Sequence, residues 1–463
     1  MAPDTRRTRP PNTALAQLIE SSGVSNKSLA LRVNQLARHA GLETDYSHTS
    51  VANWVRRGMT PKWPVPNLLA QALGERLGRN IDVAEIGMGQ GETSGIAVGL
   101  DFPRDPVDAA HAATAFWSAV NRRSFLARTG FAASAFTTPV TRWLVTPGED
   151  RADRRGGRRV GRADLHELRE AADEARRWDS KYGGGNWKAN SVTACLDHRA
   201  GPLLHGTFPD EVGRELFSVT GELSRLAGWT AFDVGQHDAA QRHFIQALSL
   251  ARAGGDVQLG CYILTTMAMQ SLLRGHGSAA IDMAQGAFNR AKSSAHPRVL
   301  AFTKLIEARA HARENDPRSA SRALAASENL LDRARTADGQ EPGWIDFFTH
   351  ARLSADATEI FRDLGNPRMA LTWEEQAAAM AEGSFTRSVG MRLAIVGTAH
   401  LQNGELERGL ALGNRSVDIL ARVQSSRAKD YVREFSAALA PWRREPVVRE
   451  FMQRTRRELG AAA

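Results

Sequence analysis

The feature that most constrains the fold is a spacing of small residues that recurs along the C-terminal part of the chain. The stretch 221–250, GELSRLAGWTAFDVGQHDAAQRHFIQALSL, contains two segments with helical apolar spacing on either side of a turn at Gly235. Small side chains at Gly228 and Ala240 allow two antiparallel helices to approach closely, and Phe244 can fill the space beside them. The stretch therefore predicts a helical hairpin.

The same spacing returns in four further units. Equivalent turn positions follow one another at intervals of 39 to 50 residues, at Gly235, Gly275, Asn315, Gly365 and Gly404. The position that most needs a small side chain is occupied in turn by Ala240, Ala280, Ala320, Ala370 and Gly409. Because one hairpin cannot bury its own apolar face, neighbouring hairpins must stack. We predict an all-α fold with a helical solenoid over residues 163–460; the alternative is an unrelated bundle of alanine-rich helices.

This spacing resembles the tetratricopeptide repeat (TPR), whose period is about 34 residues, so the longer intervals here predict longer helices or loops. In such arrays the first helix of each pair lines the concave surface, where ligands lie. The candidates for that groove are Arg225, Trp229, Phe232, Tyr262, Met269, Arg309, Arg352 and Arg362. Aromatic and arginine side chains suit a peptide, an acidic small molecule or a protein partner. The alternative is that they form ordinary core between repeats.

Residues 13–86 carry a second pattern, four short amphipathic segments that predict four helices. The third, in SHTSVANWVRRGMTP, begins at a cap provided by Ser47 or Thr49 and turns Val51 and Trp54 inward. This segment resembles the recognition helix of Cro/repressor-type helix-turn-helix domains. The resemblance implies double-stranded DNA as a partner, bound in the major groove by a homodimer.

The candidate DNA-binding residues lie on the outward face of this third helix and just beyond it: His48, Thr49, Ser50, Asn53, Arg56, Arg57 and Lys62. An asparagine can hydrogen-bond adenine through two atoms, whereas arginine and lysine suit phosphates. The connection between the second and third helices is longer than the usual tight turn, which leaves the docking angle open. The alternative is a four-helix interaction module with a basic face.

Composition agrees with this reading only in part. The chain has 463 residues, enough for two or three domains, and a net charge of +9 that favours polyanionic partners. The two cysteines, Cys195 and Cys261, are expected to be buried thiols in a reducing cytosol. The 13 histidines form no zinc motif, and no nucleotide-binding or nucleophile motif is present. We expect no catalytic residue, no metal and no cofactor.

The remaining segments are predicted to connect these two domains. Residues 1–12 read as a flexible basic arm, and residues 87–162 as a glycine-rich linker with junction helices and a basic disordered segment. Arg122 and Arg123 resemble a twin-arginine export signal. Their internal position argues against export, so we expect a cytoplasmic protein that does not enter a membrane.

Two stretches, WDSKYGGG and LAGWTAFDVGQHDAAQRHFIQALSLA, carry the most specific resemblance. Together with the N-terminal segment they resemble actinobacterial helix-turn-helix/TPR transcription regulators, among them streptomycete negative regulators of differentiation and antibiotic production. The resemblance implies a cytoplasmic regulator of development or secondary metabolism. The alternative is a cytoplasmic TPR interaction scaffold that does not read DNA.

Overall fold

The all-α prediction is confirmed in a computed structural model of the chain. The structure describes residues 11–39, 44–61, 65–77, 81, 85–88, 98–120, 130–146, 148, 157–182, 189–337, 341–377 and 386–460. Within these residues the only β pairing is an isolated bridge between Arg159 and Thr207. The chain divides into two compact units, Met1–Val98 and Gly99–Ala463.

The described residues of the first unit form four helices around one core. They are α1 (Thr13–Ser22), α2 (Asn26–His39), α3 (His48–Arg56) and α4 (Val65–Leu77). Asn12, which we assigned to the flexible arm, belongs to this unit because its side chain caps α1 at the Leu15 amide and donates to the Ile86 carbonyl. Leu15 and Trp54 lie in the core, so α1 and α3 are held on the same apolar interior.

The second unit begins with helices that precede the repeats. These are α5 (Pro106–Val120), α6 (Thr137–Val145), α7 (Arg162–Tyr182), α8 (Ala189–Cys195) and, after a π-helical turn, α9 (Gly201–Leu204). The stacked pairs then follow in order as α10 (Asp210–Asp233) and α11 (His237–Ala253), α12 (Val257–Leu273) and α13 (Gly277–Ala291), α14 (Pro297–Arg313) and α15 (Pro317–Ala334), α16 (His350–Asp363) and α17 (Pro367–Gln376), and α18 (Thr386–Gln402) and α19 (Leu406–Leu420). Two more helices, α20 (Ser426–Ala438) and α21 (Pro446–Leu459), pack on α18 and α19 respectively. Consecutive packing of these pairs fits a solenoid.

The turn inside each of the five pairs has the same backbone conformation. Its central residue has a positive φ in every pair: Gly235 (84°), Gly275 (82°), Asn315 (57°), Gly365 (65°) and Gly404 (81°). The backbone amide of the following residue hydrogen-bonds back to the last turn of the first helix. In the first pair, Gln236 donates to the Ala231 carbonyl at 2.9 Å. Glycine and asparagine are the residues that adopt this conformation most easily. The five positions are those from which the repeat register was inferred.

Small residues permit the close approach of the paired helices. A side chain at Gly228 would lie 2.6 Å from the Phe244 ring, and one at Gly409 would lie 3.1 Å from the Gly397 carbonyl. The intervals exceed the TPR period partly because the helices are long, with 24 residues in α10 and 17 in α11. The longest interval also contains a 3₁₀ turn, Gly343–Ile345, between α15 and α16.

The first helices of the pairs surround a common interior. Helix α10 packs against α7 and reaches α20, while α7 also contacts α18, so the end of the stack returns to its beginning. Helices α5 and α6 instead pack on α11, a second helix of a pair. Among the described residues, no helix combines the length and the apolar character that crossing a membrane requires.

Candidate functional site

Helix α3 begins at a well-formed cap. The Ser47 amide donates to the Ser50 hydroxyl at 3.2 Å, so Ser50 contributes to the helix start and can still donate its own proton outward. Val51 and Trp54 are buried, and the Tyr46 ring meets the Trp54 ring edge-on at 5.1 Å. These contacts fix which face of α3 is turned to solvent.

The connection between α2 and α3 is anchored by Asn34. Its amide donates to the Tyr46 carbonyl at 2.8 Å, and its side-chain oxygen accepts from the Tyr46 amide and the Thr44 hydroxyl, both at 3.0 Å. The longer connection noted in the sequence is thus tied to α2 where it enters α3.

The solvent face of α3 carries the predicted DNA-binding residues. His48, Thr49, Arg56 and Arg57 are exposed, while Ser50 and Asn53 are half-buried. The Thr49 hydroxyl lies 3.3 Å from the His48 ring. In the described part of the chain, the Asn53 amide and the guanidinium groups of Arg56 and Arg57 have no partner. Lys62 lies outside the described residues.

The predicted groove residues are all on first helices of pairs. Trp229 is half-buried and donates through Nε1 to Asp179 at 3.1 Å. Phe232 and Met269 lie in the hydrophobic core of the stack. Arg309 reaches the Tyr431 hydroxyl at 3.1 Å across 122 residues of sequence. The first helices therefore do face one another.

Arg309 lies in a dense ionic cluster. It donates to Glu359 at 2.7 Å and to Asp356 at 3.3 Å, and all three side chains are almost fully buried. Burial alone would raise the pKa of Glu359, but Arg309 and neighbouring arginines outweigh it and lower that pKa to about 2. Glu359 is therefore an anion that fixes Arg309 in place.

Two further predicted groove arginines belong to the same cluster. Arg352 donates to Asp356 at 2.6 Å, while Arg362 donates to Glu434 at 3.0 Å and forms an ion pair with Asp363 at 2.7 Å. Arg309, Arg352 and Arg362 are thus each paired with the protein's own carboxylates, with which a ligand anion would compete.

Arg225 is in a different situation. Its guanidinium carbon lies 4.7 Å from the centre of the Tyr262 ring, and Tyr262 stacks on Trp344 with 4.6 Å between ring centres and 11° between ring planes. Arg225 is 4% exposed, yet no carboxylate within the described residues pairs with it. This is the one predicted groove arginine whose charge is left without an acidic partner in the described residues.

Sequence reasoning missed Arg176 and Trp344, which lie beside this group. Arg176 belongs to α7, outside the repeats, and pairs with Glu222 and Asp173. Trp344 lies in the 3₁₀ turn between α15 and α16. The 50-residue interval between Asn315 and Gly365 was a signal for such an insertion. No comparable signal marked Arg176.

The fold and these surfaces define an all-α protein with a small four-helix unit and a larger unit of stacked helical pairs. Residues 15–89 match the family model of the SP15 N-terminal domain; the matched range begins at the third residue of α1 and includes α2, α3 and α4. The match does not extend into the stacked pairs. No curated protein matches the chain.

Proposed function

We propose that this protein is a transcription regulator that binds double-stranded DNA through α3 and receives an effector in its stacked helical pairs. The chain acts as a homodimer in the cytoplasm, and its targets belong to development or secondary metabolism, as the resemblance to streptomycete regulators implies. The effector is a peptide, a small molecule or a protein partner.

The observation that carries the DNA-binding proposal is the solvent face of α3. Its apolar side is held by Val51 and Trp54, which leaves Asn53 and Arg57 directed away from that core and without partners in the described residues. An amide that can read adenine next to guanidinium groups that can bind phosphate is what a major-groove helix requires.

The sensor part rests on the interior shared by the first helices. Arginine and aromatic side chains from helices far apart in sequence converge there, and stacked repeats use such concave surfaces for ligands. For the effector to regulate DNA binding, it must bind one conformation of the protein more tightly than another.

The test is a selection of duplexes from a random library with the purified full-length protein, followed by gel shifts. We expect an enriched sequence and salt-sensitive binding. The double variant Asn53→Ala, Arg57→Ala should bind about 100-fold more weakly, since the base contact of Asn53 contributes about 1–3 kcal/mol and the phosphate contact of Arg57 adds to it. Arg57→Ala alone should reduce the salt slope by about 1.

Arg76→Ala is the matched control, because it removes an exposed positive charge from α4 of the same unit. It should leave the enriched sequence unchanged and the affinity within a few-fold of the wild type. A library from which no sequence is enriched would refute DNA reading. Specific protein partners without chromatin occupancy would then favour the interaction scaffold.

A further inference from the structure

The group formed by Arg225, Tyr262 and Trp344 differs from every other arginine cluster described inside the stack. Three separate elements contribute to it: Arg225 from α10, Tyr262 from α12 and Trp344 from the 3₁₀ turn before α16. The Arg225 guanidinium lies over the Tyr262 ring, and the Trp344 indole stacks on the same ring. The guanidinium therefore has an aromatic neighbour where the buried Arg309 and Arg387 have carboxylates.

No carboxylate among the described residues pairs with Arg225. Its Nε atom is buried without a hydrogen-bond partner, and its terminal nitrogens make no hydrogen bond to the described residues. Glu222, one turn earlier on α10, is engaged by Arg176. By contrast, the buried Arg309 and Arg387 each pair with two carboxylates. An uncompensated buried charge is strongly destabilising unless an opposite charge joins it.

Neighbouring groups increase the positive potential around Tyr262. Burial raises the pKa of the Tyr262 phenol, while Arg225, Arg176 and Arg352 act in the opposite direction and Asp179 adds to the rise. Burial lowers the pKa of Arg176, where the nearby Arg225 adds to the effect and Asp173 and Asp346 oppose it. Arg176 and Arg352 have acidic partners, so within the described part of the chain Arg225 is the one of these three arginines that lacks one.

The Tyr262 hydroxyl is a second unused group at the same place. Tyr262 is 5% exposed, and its hydroxyl hydrogen-bonds to no described residue. An oxyanion can accept from this hydroxyl and from a guanidinium together.

We propose that Arg225 and Tyr262 form a binding site for an oxyanion, the carboxylate or phosphate group of the effector. The Arg225 guanidinium donates to the anion and supplies the opposite charge, the Tyr262 hydroxyl donates a further hydrogen bond, and Trp344 holds the tyrosine ring. This site names the chemical group that the proposed sensor recognises, and it rests on that proposed function. Binding of the anion itself requires no DNA.

The test measures thermal unfolding of the full-length protein without DNA, in increasing inorganic phosphate or succinate at constant ionic strength, with chloride as the balancing anion. Phosphate, succinate or both should raise the melting temperature beyond chloride, because a ligand of the folded state stabilises it by mass action. If phosphate raises the melting temperature at a lower concentration than succinate does, the group on the effector is a phosphate. The reverse order indicates a carboxylate. Arg225→Met should weaken the apparent affinity at least about tenfold.

The sign of the effect without ligand separates a binding role from a structural one. Without phosphate or succinate, Arg225→Met should raise the melting temperature or leave it unchanged, because it removes an uncompensated buried charge. Arg309→Met should lower it, because it takes one guanidinium partner away from each of the buried carboxylates Asp356 and Glu359. Tyr262→Phe should keep the fold and weaken the anion response.

Arg290→Met is the matched control for the aromatic contact. Arg290 also lies 4.7 Å from an aromatic ring centre, that of Trp143, but it donates to the Leu144 carbonyl. This variant should keep the full anion response. A wild-type melting temperature that responds to phosphate and succinate no more than to chloride would overturn the proposal. So would an unchanged response in Arg225→Met.

The two proposals fail independently. The Asn53→Ala, Arg57→Ala protein should keep the full anion response, because neither residue belongs to the second unit. If DNA binding fails while the anion response persists, the binding site stands without the regulator function. If the anion response fails while DNA is bound, only the site assignment is lost.

Discussion

The guanidinium of Arg387 donates to Asp233 at 2.9 Å, although the two residues are 154 positions apart in sequence. Arg387 also binds Asp179 of α7, and Asp233 accepts from Arg427 of α20. These buried ion pairs join the end of the first pair's inner helix to the fifth pair and to the start of α20. The stack is therefore closed by charge pairing as well as by apolar packing.

Breaking this closure should cost much of the stability of the second unit. Arg387→Met leaves Asp233, whose side chain is fully buried, without one of its two guanidinium partners. We expect a loss of about 3–5 kcal/mol in the free energy of unfolding, measured by urea denaturation. Arg433→Met, which removes an exposed pair with Asp430, should cost less than about 1 kcal/mol. Equal losses in the two variants would contradict the assignment.

The repeat turns should tolerate glycine and asparagine but not alanine. Gly275 has a φ of 82° and open space where a side chain would start, so Gly275→Ala adds backbone strain alone. The expected cost is about 1–2 kcal/mol in urea denaturation. Asn315→Gly, at the equivalent turn, should change stability by less than about 1 kcal/mol. An alanine as well tolerated at Gly275 as the glycine at Asn315 would show that the turn conformation is not required.

A buried histidine should make the second unit sensitive to acid. Burial lowers the pKa of His243 from 6.5 to about 3, and its ring packs on Phe116. Below pH 6.5 the unfolded chain binds a proton that the folded protein excludes. The contribution of His243 to the free energy of unfolding is therefore fully present above pH 6.5. It falls by up to about 1.4 kcal/mol per pH unit as the pH is lowered towards 3.

His243→Gln removes this titration, so its stability should fall less steeply with acid than that of the wild type. Urea denaturation at several values between pH 7 and pH 4 measures the slope, which is independent of any constant loss of packing. His166→Gln, at an exposed position on α7, should keep the wild-type slope. A slope unchanged by His243→Gln would exclude His243 as the source of acid sensitivity.

The two cysteines should differ in reactivity. Burial raises the pKa of the Cys261 thiol to about 12, and its sulfur lies 3.4 Å from the Thr303 hydroxyl. Burial also raises the pKa of Cys195, which is only half-buried. At pH 8 roughly one Cys261 thiol in ten thousand is ionised, so iodoacetamide should label Cys195 first in the folded protein. Both should react in urea; native labelling of Cys261 as fast as Cys195 would contradict this.

Local chemistry made the helical pairs predictable. The turn at Gly235 needs a residue that accepts a positive φ, and the pair around it needs a small residue at Gly228 opposite Phe244. Both requirements involve neighbours within one hairpin, so they leave a recurring trace in the sequence. The start of α3 at Ser47 is likewise a local matter of helix capping.

The partners of the arginines inside the stack could not be predicted from such local patterns. Helical spacing predicted that Arg225 and Arg309 point towards the first helices of other pairs. It does not indicate which side chains they contact there. Arg309 finds Glu359 and Tyr431, whereas Arg225 finds an aromatic face and no carboxylate among the described residues. Trp344 and Arg176 come from outside the repeat pattern altogether.

The sequence by itself determined the helical pairs, their turns and the direction in which the groove residues point, because these depend on backbone preferences and spacing within each hairpin. Only the tertiary structure decided which arginines are neutralised. That outcome depends on how far the stack curves, since the curvature brings Tyr431 to Arg309 and Arg387 to Asp233 across more than a hundred residues. Curvature is a sum of small packing angles between pairs, and no single stretch of sequence encodes it.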